Sequence, residues 1–127
     1  MTTRMILRQQ RGRNAEQLAA AFLRHEGYQI HATNVRFPVG ELDIVAQEGD
    51  TLCFVEVRSR ADERFGPAQE SITWSKRRHF LKAVQWYLQR RRVRWAGPVR
   101  FDLVAINDSA ARHPKPELLR HAFDAGF

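Results

Sequence analysis

The chain has 127 residues and a formal net charge of +7, with 43% hydrophobic residues, eight Phe and three Trp. This length and apolar content exclude a disordered chain and predict a single domain over residues 1–127. No apolar run is long enough to span a bilayer, and nothing resembles a secretory signal. A single cysteine, Cys53, excludes an internal disulfide. We therefore expect a cytoplasmic protein without a membrane partner.

The basic residues are concentrated in two segments that contain no acid. One precedes Glu16, and the other lies between Glu70 and Asp102. A solvated basic face is the ordinary interpretation of one such segment. Two of them around an acidic hairpin favour a polyanion, so we predict nucleic acid as the partner. The oligomeric state stays open, with a homodimer among the alternatives.

The first predicted element is a helix over residues 14–27, where apolar residues recur at roughly helical spacing. Asn14 is a plausible N-cap, although the helix could begin earlier, and Gly27 is a natural C-terminal stop. A start at Asn14 would place Glu16 in the first turn, where a carboxylate suits the helix dipole. From the residues alone, that is the predicted role of Glu16.

A first strand is predicted over residues 28–37, with Tyr28, Ile30 and Ala32 on one face and an irregularity at Asn34. Residues 40–60 then predict a β-hairpin, since two runs rich in Val, Ile, Leu and Phe flank a Gly-Asp dipeptide suited to a two-residue loop. If this loop closes the hairpin, the numbers of facing residues sum to 99. The face predicted for the core then holds three opposed pairs: Leu42 with Val57, Ile44 with Val55, and Ala46 with Cys53.

The other face of the hairpin carries acids, because the same register places Asp43 opposite Glu56 and Glu41 opposite Arg58. Opposed side chains have Cβ atoms about 4.5–5.5 Å apart, and opposed like charges destabilise a sheet. Two carboxylates in this arrangement predict a cation between them. The alternative is salt bridging, in which Arg58 neutralises Glu41 while Asp43 and Glu56 lie at a wet sheet edge.

The remaining elements are a polar loop, a second helix and a fourth strand. The helix is predicted from about residue 73 to residue 91, with a core stripe formed by Phe80, Leu81, Val84, Tyr87 and Leu88. Lys76, near the start of this helix, is placed to bind an anion that also contacts exposed backbone N–H groups. The fourth strand, VRFDLVAIN, is almost continuously hydrophobic, which predicts that both its faces are covered. For the apolar run near residue 118, an edge strand and a last helical turn both stay open.

The predicted order is α-β-β-β-α-β, and several motifs lie along it. They are Glu16, Asn34-Val35-Arg36, Gly40-Glu41-Leu42-Asp43, Phe54-Val55-Glu56-Val57-Arg58, Phe65-Gly66, Lys76 and Arg100-Phe101-Asp102. With these motifs the chain resembles the restriction-endonuclease-like (PD-D/E-x-K) superfamily. At the level of sequence it is similar to the YraN-like family of uncharacterised bacterial proteins, which is related to archaeal Holliday junction resolvases. The implied fold is an α/β core with a central mixed sheet flanked by helices.

The resemblance also implies roles for individual residues. Asp43 matches the metal-binding Asp, Glu56 matches the acidic member of the D/E-x-K triplet, and Arg58 occupies the lysine position. Glu16 matches the helix-borne glutamate of the resolvases, and Glu41 is a further carboxylate beside the site. The implied cofactor is Mg²⁺ or Mn²⁺, which suits an oxygen-rich site. The implied activity is metal-dependent, structure-selective cleavage of branched DNA, with Asp43, Glu56 and Arg58 as catalytic residues.

Arg58 is where the chain departs from the superfamily pattern. Arginine stays protonated and cannot act as a general base, but it can hold a phosphate and stabilise developing charge. Two alternatives to an enzyme therefore stay open. One is a non-catalytic nucleic-acid-binding module on a nuclease fold, and the other is an interaction protein acting with RNA or ribosomes. The predicted nucleic-acid contacts are Lys76, Arg77, Arg78, Arg60 and Arg36.

Overall fold

The computed structural model describes residues 3–61, 64, 66–71, 74–90 and 94–122, without the side chains of 4–13, 69, 71, 74, 75 and 90. The elements are α1 (Thr3–His25), β1 (Gln29–Phe37), β2 (Gly40–Glu48), β3 (Thr51–Ser59), a 3₁₀ helix (Ala68–Ser71), α2 (Trp74–Arg90), β4 (Val99–Ile106) and β5 (Pro116–Leu119). The predicted order α-β-β-β-α-β is confirmed. The tail adds an edge strand, β5, rather than a helical turn.

The strands form one mixed sheet in the order β1-β2-β3-β4-β5. Strand β2 is antiparallel to both β1 and β3, β3 and β4 run parallel, and β5 is antiparallel to β4. A parallel pair needs a crossover connection, which α2 supplies between β3 and β4. This mixed sheet flanked by helices is the α/β architecture that the sequence predicts.

Both faces of the sheet are buried, each under one helix. Ile44 and Val55 belong to the core under α1, whereas their neighbours Val45 and Phe54 belong to the core under α2. This alternation follows from the period of two in a strand, and it explains why the central strands are hydrophobic at consecutive positions. The ring of Phe54 packs edge-on against that of Tyr87, with 5.8 Å between the centroids.

Helix α1 begins at Thr3, so Asn14 is not its N-cap and the alternative of an earlier start is confirmed. Glu16 lies in the interior of the helix, and the first-turn role predicted for it is wrong as well. The predicted stop is confirmed, because Gly27 has a φ of +99°. The Tyr28 N–H donates to the Leu23 carbonyl at 2.9 Å, which is the hydrogen bond that spans six residues in a Schellman motif.

Helix α2 has almost the predicted bounds, and its predicted stripe packs on the sheet. Phe80, Val84 and Tyr87 are buried, and Leu81 and Leu88 are partly buried against the same core. In the part of the chain that the structure describes, neither long helix combines the length and the apolar character needed to cross a membrane.

Strand β1 is irregular at two places. Its register with β2 shifts between Ile30 and Ala32, which leaves Ile30 under α1 and moves Ala32 to the face under α2. The predicted common face of Tyr28, Ile30 and Ala32 is therefore wrong at Ala32. The predicted irregularity at Asn34 is confirmed by a φ of +54°, a left-handed conformation that asparagine tolerates better than most residues.

The β2–β3 hairpin has the predicted register from its loop as far as the pair Ile44 and Val55. Beyond that pair the ladder stops, and the Val57 N–H donates to the Asp43 carboxylate at 2.8 Å. Leu42 lies in the core under α2 while Ile44 lies under α1, so the predicted place of Leu42 opposite Val57 is wrong. The strands separate here because the Asp43 side chain takes the position of a main-chain acceptor.

Candidate active site

The open end of the hairpin borders a cavity of about 350 Å³. Because β2 and β3 separate at this end, residues of both helices reach the same space. The lining residues are Ala15, Glu16, Gly40, Glu41, Asp43, Glu56, Val57, Arg58, Ser59, Lys76, His79 and Phe80. The cavity therefore brings together every carboxylate that was predicted as a metal ligand, along with Arg58 and Lys76. We call Glu16, Glu41, Asp43 and Glu56 the acid cluster.

Asp43 is the most deeply placed carboxylate of the acid cluster, with 9% of its surface exposed. Its side chain is fixed by the N–H of Val57. Burial raises the pKa of Asp43 above its ordinary value even though this hydrogen bond acts in the opposite direction. The charged form of Asp43 is thus poorly compensated by the protein around it.

Glu56 lies beside Asp43, and the two carboxyl groups share a hydrogen bond. Its side chain is 14% exposed and lies 2.6 Å from a terminal nitrogen of Arg58. Burial and then the charge of Asp43 raise the pKa of Glu56 to about 8, despite the attraction of Arg58. The arginine therefore does not fully neutralise the pair, and the pair behaves as two acids that compete for one proton.

Glu16 reaches the acid cluster from the middle of α1. Burial, followed by the charges of Asp43 and Glu41, raises the pKa of Glu16 to about 7. A hydrogen bond between Glu16 and Asp43 contributes in the same direction. The long helix thus places a third carboxylate against the strand pair, as the resemblance implied.

Glu41 and Arg58 do not face each other, so that predicted pair is wrong. Arg58 pairs with Glu56, and Glu41 lies 3.6 Å from Arg36, with the two side chains 56% and 74% exposed. The salt-bridging alternative is wrong too. It requires Arg58 beside Glu41 and Asp43 at a wet sheet edge, whereas Asp43 is buried. The β2–β3 ladder ends before these positions, so the register that would pair Glu41 with Arg58 does not extend to them.

The donor set fits a hard divalent cation. The cluster offers carboxylate oxygens from β2, β3 and α1, and Mg²⁺ or Mn²⁺ prefers oxygen ligands. Within the described residues, no group of three His, Cys, Asp or Glu side chains is arranged as a ready-made metal shell. Such a shell is not needed for Mg²⁺, which takes one or two carboxylates and completes its coordination with water and phosphate oxygens.

Of the five predicted nucleic-acid contacts, Lys76 and Arg36 border the cavity or its adjoining groove, whereas Arg60, Arg77 and Arg78 do not line the cavity. Lys76 lines it, and the charge of Arg58, burial and the charge of Arg60 all lower the pKa of Lys76. Arg36 borders an adjoining groove. Arg77 and Arg78 are exposed on α2 and do not line the cavity. The arginine side chains of residues 4–13 and 90–92 lie outside the described part of the chain.

His79 is a cavity residue that the sequence did not single out. It lines both the cavity and the adjoining groove. Its position three residues after Lys76 is the available signal, because helix residues i and i+3 share a face. The main chain of His79 also approaches the hairpin closely, since a Cβ atom on Gly40 would lie 2.8 Å from the His79 carbonyl oxygen. Gly40 is thus required for the packing of α2 against the site.

A second set of charges lies at the loop end of the hairpin. Asp102 is fully buried and accepts hydrogen bonds from the Tyr28 hydroxyl (2.8 Å), the Arg100 guanidinium (2.7 and 2.9 Å) and a main-chain N–H (3.0 Å). Arg100 also binds Glu48 at 2.7 Å, and Arg120 binds both oxygens of Glu48. We call Tyr28, Glu48, Arg100, Asp102 and Arg120 the buried network.

The fold and the cavity together define an α/β protein with an acid cluster at the open end of its central hairpin. The chain belongs to the uncharacterised protein family UPF0102, whose model matches residues 15–106. This is the YraN family, so the predicted membership is confirmed.

Several relatives match over most of their length. The chain is 46% identical over 120 residues to a UPF0102 protein of Desulfosudis oleivorans, covering 94% of each chain. It is 42% identical over 117 residues to a UPF0102 protein of Pseudomonas aeruginosa, covering 91% of this chain and 93% of that one. A UPF0102 protein of Legionella pneumophila is 38% identical over 118 residues, covering 93% and 98%.

Proposed function

We propose that this protein is a metal-dependent endonuclease that hydrolyses phosphodiester bonds in branched DNA in the cytoplasm. The preference for nucleic acid is supported by the net charge of +7 and by the cations around the cavity. The preference for branched DNA is supported by the resemblance to archaeal Holliday junction resolvases. The preference for hydrolysis is supported by the acid cluster.

The observation that carries the proposal is the incomplete neutralisation of two buried acids. Asp43 and Glu56 lie side by side with raised pKa values, although Arg58 is in contact with one and a main-chain N–H with the other. Opposed buried acids destabilise a fold unless a cation relieves them. A divalent cation at this position would favour both charged forms at once.

Each residue then has a role that its position supports. A bound cation would polarise the phosphodiester and lower the pKa of an attacking water. Asp43 and Glu56 would hold the cation, and Glu16 and Glu41 would support them from α1 and from the rim. Arg58 would hold a phosphate oxygen and stabilise the negative charge that develops on it.

The direct test is cleavage of labelled four-way junctions, flapped duplexes and linear duplexes with Mg²⁺ or Mn²⁺. We expect cleavage of the branched substrates that EDTA abolishes. Asp43→Ala should abolish it too, whereas Asp50→Ala is the matched control, because Asp50 is an exposed acid of the hairpin loop. Calorimetry should show weak binding of one Mn²⁺ that Asp43→Ala removes. Unchanged cleavage or Mn²⁺ binding in a folded Asp43→Ala, Glu56→Ala double variant would contradict the proposal.

The ion pair of Arg58 with Glu56 favours a second candidate, a nucleic-acid-binding module without turnover. A guanidinium 2.6 Å from the carboxylate partly fulfils the neutralising role of a cation. In this candidate the acid cluster is structural, and the basic residues of α2 bind the nucleic acid. The two candidates differ in metal-dependent cleavage, not in affinity.

Binding is expected to be electrostatic in either candidate. The logarithm of the association constant should fall linearly with the logarithm of the salt concentration, in proportion to the phosphates contacted. Replacing Lys76, Arg77 and Arg78 by Ala should flatten that slope in fluorescence anisotropy titrations with branched DNA. An unchanged slope would move the contact surface elsewhere, and binding that ignores salt would instead favour a protein partner.

A further inference from the structure

Arg58 is the penultimate residue of β3, and Arg60 directly follows the strand two positions later. Residues i and i+2 of an extended strand point to the same face, about 6.6 Å apart. The main chain of Arg60 continues this geometry, since its N–H donates to the Ile106 carbonyl at 2.9 Å and its carbonyl accepts from the Ser109 N–H at 3.0 Å. The two side chains therefore leave the main chain on the same face, and both charges act on Lys76.

Each of these arginines has a buried N–H without a hydrogen-bond partner among the described residues. The Nε atoms of Arg58 and Arg60 are shielded from solvent, and no acceptor lies within hydrogen-bond range of either one in the described residues. Buried polar groups are satisfied in the great majority of cases, and exceptions call for an explanation such as a missing ion. Two neighbouring exceptions of the same sign indicate that an anion belongs between them.

Lys76 brings a third cation to the same place. Arg58, burial and Arg60 lower the pKa of Lys76, while Glu56 acts in the opposite direction. Lys76 also lies in the first turn of α2, a helix of 17 residues whose N-terminus already repels cations. Three cations collected at a helix N-terminus oppose one another, and an anion would relieve the repulsion.

We propose that Arg58, Arg60 and Lys76 form a phosphate-binding site beside the acid cluster. The ligand class is a phosphate group, because two guanidinium groups and one ammonium attract a multiply charged anion and a helix N-terminus adds main-chain donors. The assignment of that phosphate as the backbone phosphate next to the cleaved one rests on the proposed function, in which Arg58 lies between the two phosphates and Arg60 and Lys76 contact only the neighbouring one. Arg60 is then a positioning residue, since it lies outside the lining of the acidic cavity.

The test is a calorimetric titration of the metal-free full chain with inorganic phosphate, in EDTA and at low salt. We expect one phosphate per chain. Arg60→Ala should weaken it at least tenfold, and Arg60→Lys should recover only part of the affinity, because lysine keeps the charge but loses the paired donors. Arg112→Ala is the matched control, an exposed arginine of the β4–β5 connection, and it should bind as the parent does.

Three outcomes would overturn the site: no phosphate binding by the parent, equal binding by a folded Arg60→Ala, or an equal loss in Arg112→Ala. Circular dichroism confirms folding, and Arg60→Lys replaces Arg60→Ala if the latter fails to fold. Asp43→Asn should bind phosphate as well as the parent or more tightly, because it removes a nearby negative charge.

The same variants separate this inference from the proposed function. If the protein binds phosphate through Arg60 but cleaves no DNA, the phosphate site is supported and the proposed nuclease activity is contradicted. In a cleaving protein, one neutral methylphosphonate next to the cleaved bond should slow the parent about tenfold and leave Arg60→Ala insensitive. Equal slowing of both proteins would contradict the assignment of Arg60 to the neighbouring phosphate.

Discussion

The two ends of the β2–β3 hairpin treat their carboxylates in opposite ways. At the loop end, hydrogen bonds from Arg120 and Arg100 lower the pKa of Glu48 to about 2. At the open end, burial and neighbouring acids raise the pKa of Glu56 to about 8 and that of Glu16 to about 7. The same two strands thus carry one set of charges that the fold satisfies and one set that it does not.

This difference separates a structural from a functional use of buried charge. In the buried network both oxygens of Asp102 accept hydrogen bonds, so its charge is compensated within the protein. In the acid cluster the pKa values of Asp43 and Glu56 are raised although each carboxylate has a donor. Uncompensated titratable groups in an open cavity are typical of sites that bind a ligand.

The largest expected effect is on stability, in the matched variants Asp102→Asn and Asp43→Asn. Asp102→Asn turns an amide N–H₂ toward groups that donate to Asp102 and leaves Arg100 undercompensated, so it should cost roughly 3–5 kcal/mol. Asp43→Asn can still accept from the Val57 N–H and removes an opposed charge. Its free energy of unfolding should equal or exceed that of the parent. Urea denaturation with EDTA measures both free energies of unfolding. A similar loss of stability in the two variants would contradict the difference between the two ends of the hairpin.

The next largest effect concerns Arg58. If it stabilises charge in the transition state, Arg58→Ala should slow single-turnover cleavage by roughly a hundredfold or more, the scale for loss of one transition-state donor. Arg58→Lys should retain cleavage, because lysine supplies the same charge. If Arg58 only pairs with Glu56, the melting temperature of Arg58→Ala would change while cleavage per folded molecule would not. That second outcome would mean that Arg58 has a structural role, as the charges of the buried network do.

The pH dependence of stability should have opposite slopes at the two ends. The folded protein keeps protons on Glu56 and Glu16 that the unfolded chain releases above a pKa near 4.5, so stability falls as the pH rises from about 4.5 to 8. Glu48 acts in reverse, and its contribution is lost as the pH falls from about 4.5 to 2. The metal-free protein should therefore be most stable near pH 5.

The loss between pH 5 and pH 8 should be roughly 1–3 kcal/mol, mostly from the deeply buried Glu56, since one pKa unit corresponds to about 1.4 kcal/mol. Urea denaturation at the two pH values measures it. Glu56→Gln should flatten the slope, and saturating Mn²⁺ should restore stability at pH 8 because it favours the charged carboxylates. A metal-free protein that is more stable at pH 8 than at pH 5 would contradict this account of the acid cluster.

The sequence predicted most of the hairpin but not its opening. The Gly-Asp loop and the apolar alternation determine the register as far as Ile44 and Val55. Beyond that pair, the bond from Val57 N–H to Asp43 changes the geometry, and no periodicity reports a side chain that replaces a main-chain acceptor. The pairing of Glu41 with Arg58 failed for that reason, although both line the predicted site.

Long-range partners were the other limit. Tyr28 and Asp102 are 74 positions apart, and the hydrogen bond between them joins the turn after α1 to β4. Glu16 shows the same limit, because local rules assigned it to a helix start whereas tertiary packing places it against Asp43. The resemblance to a family identified Glu16 where the local pattern did not.

The smallest expected effects come from the more exposed arginine of one ion pair at each end. Arg36 lies 3.6 Å from Glu41 with most of its surface in solvent, so Arg36→Ala should change the free energy of unfolding by less than about 0.5 kcal/mol. Arg120 binds both oxygens of Glu48 and lies 5.7 Å from the centre of the Tyr28 ring, so Arg120→Ala should cost about 1–2 kcal/mol. Parallel urea denaturation curves of the two variants measure the difference. If Arg36→Ala proves the costlier of the two, the open end is held together by its charges, and the contrast with the buried network no longer stands.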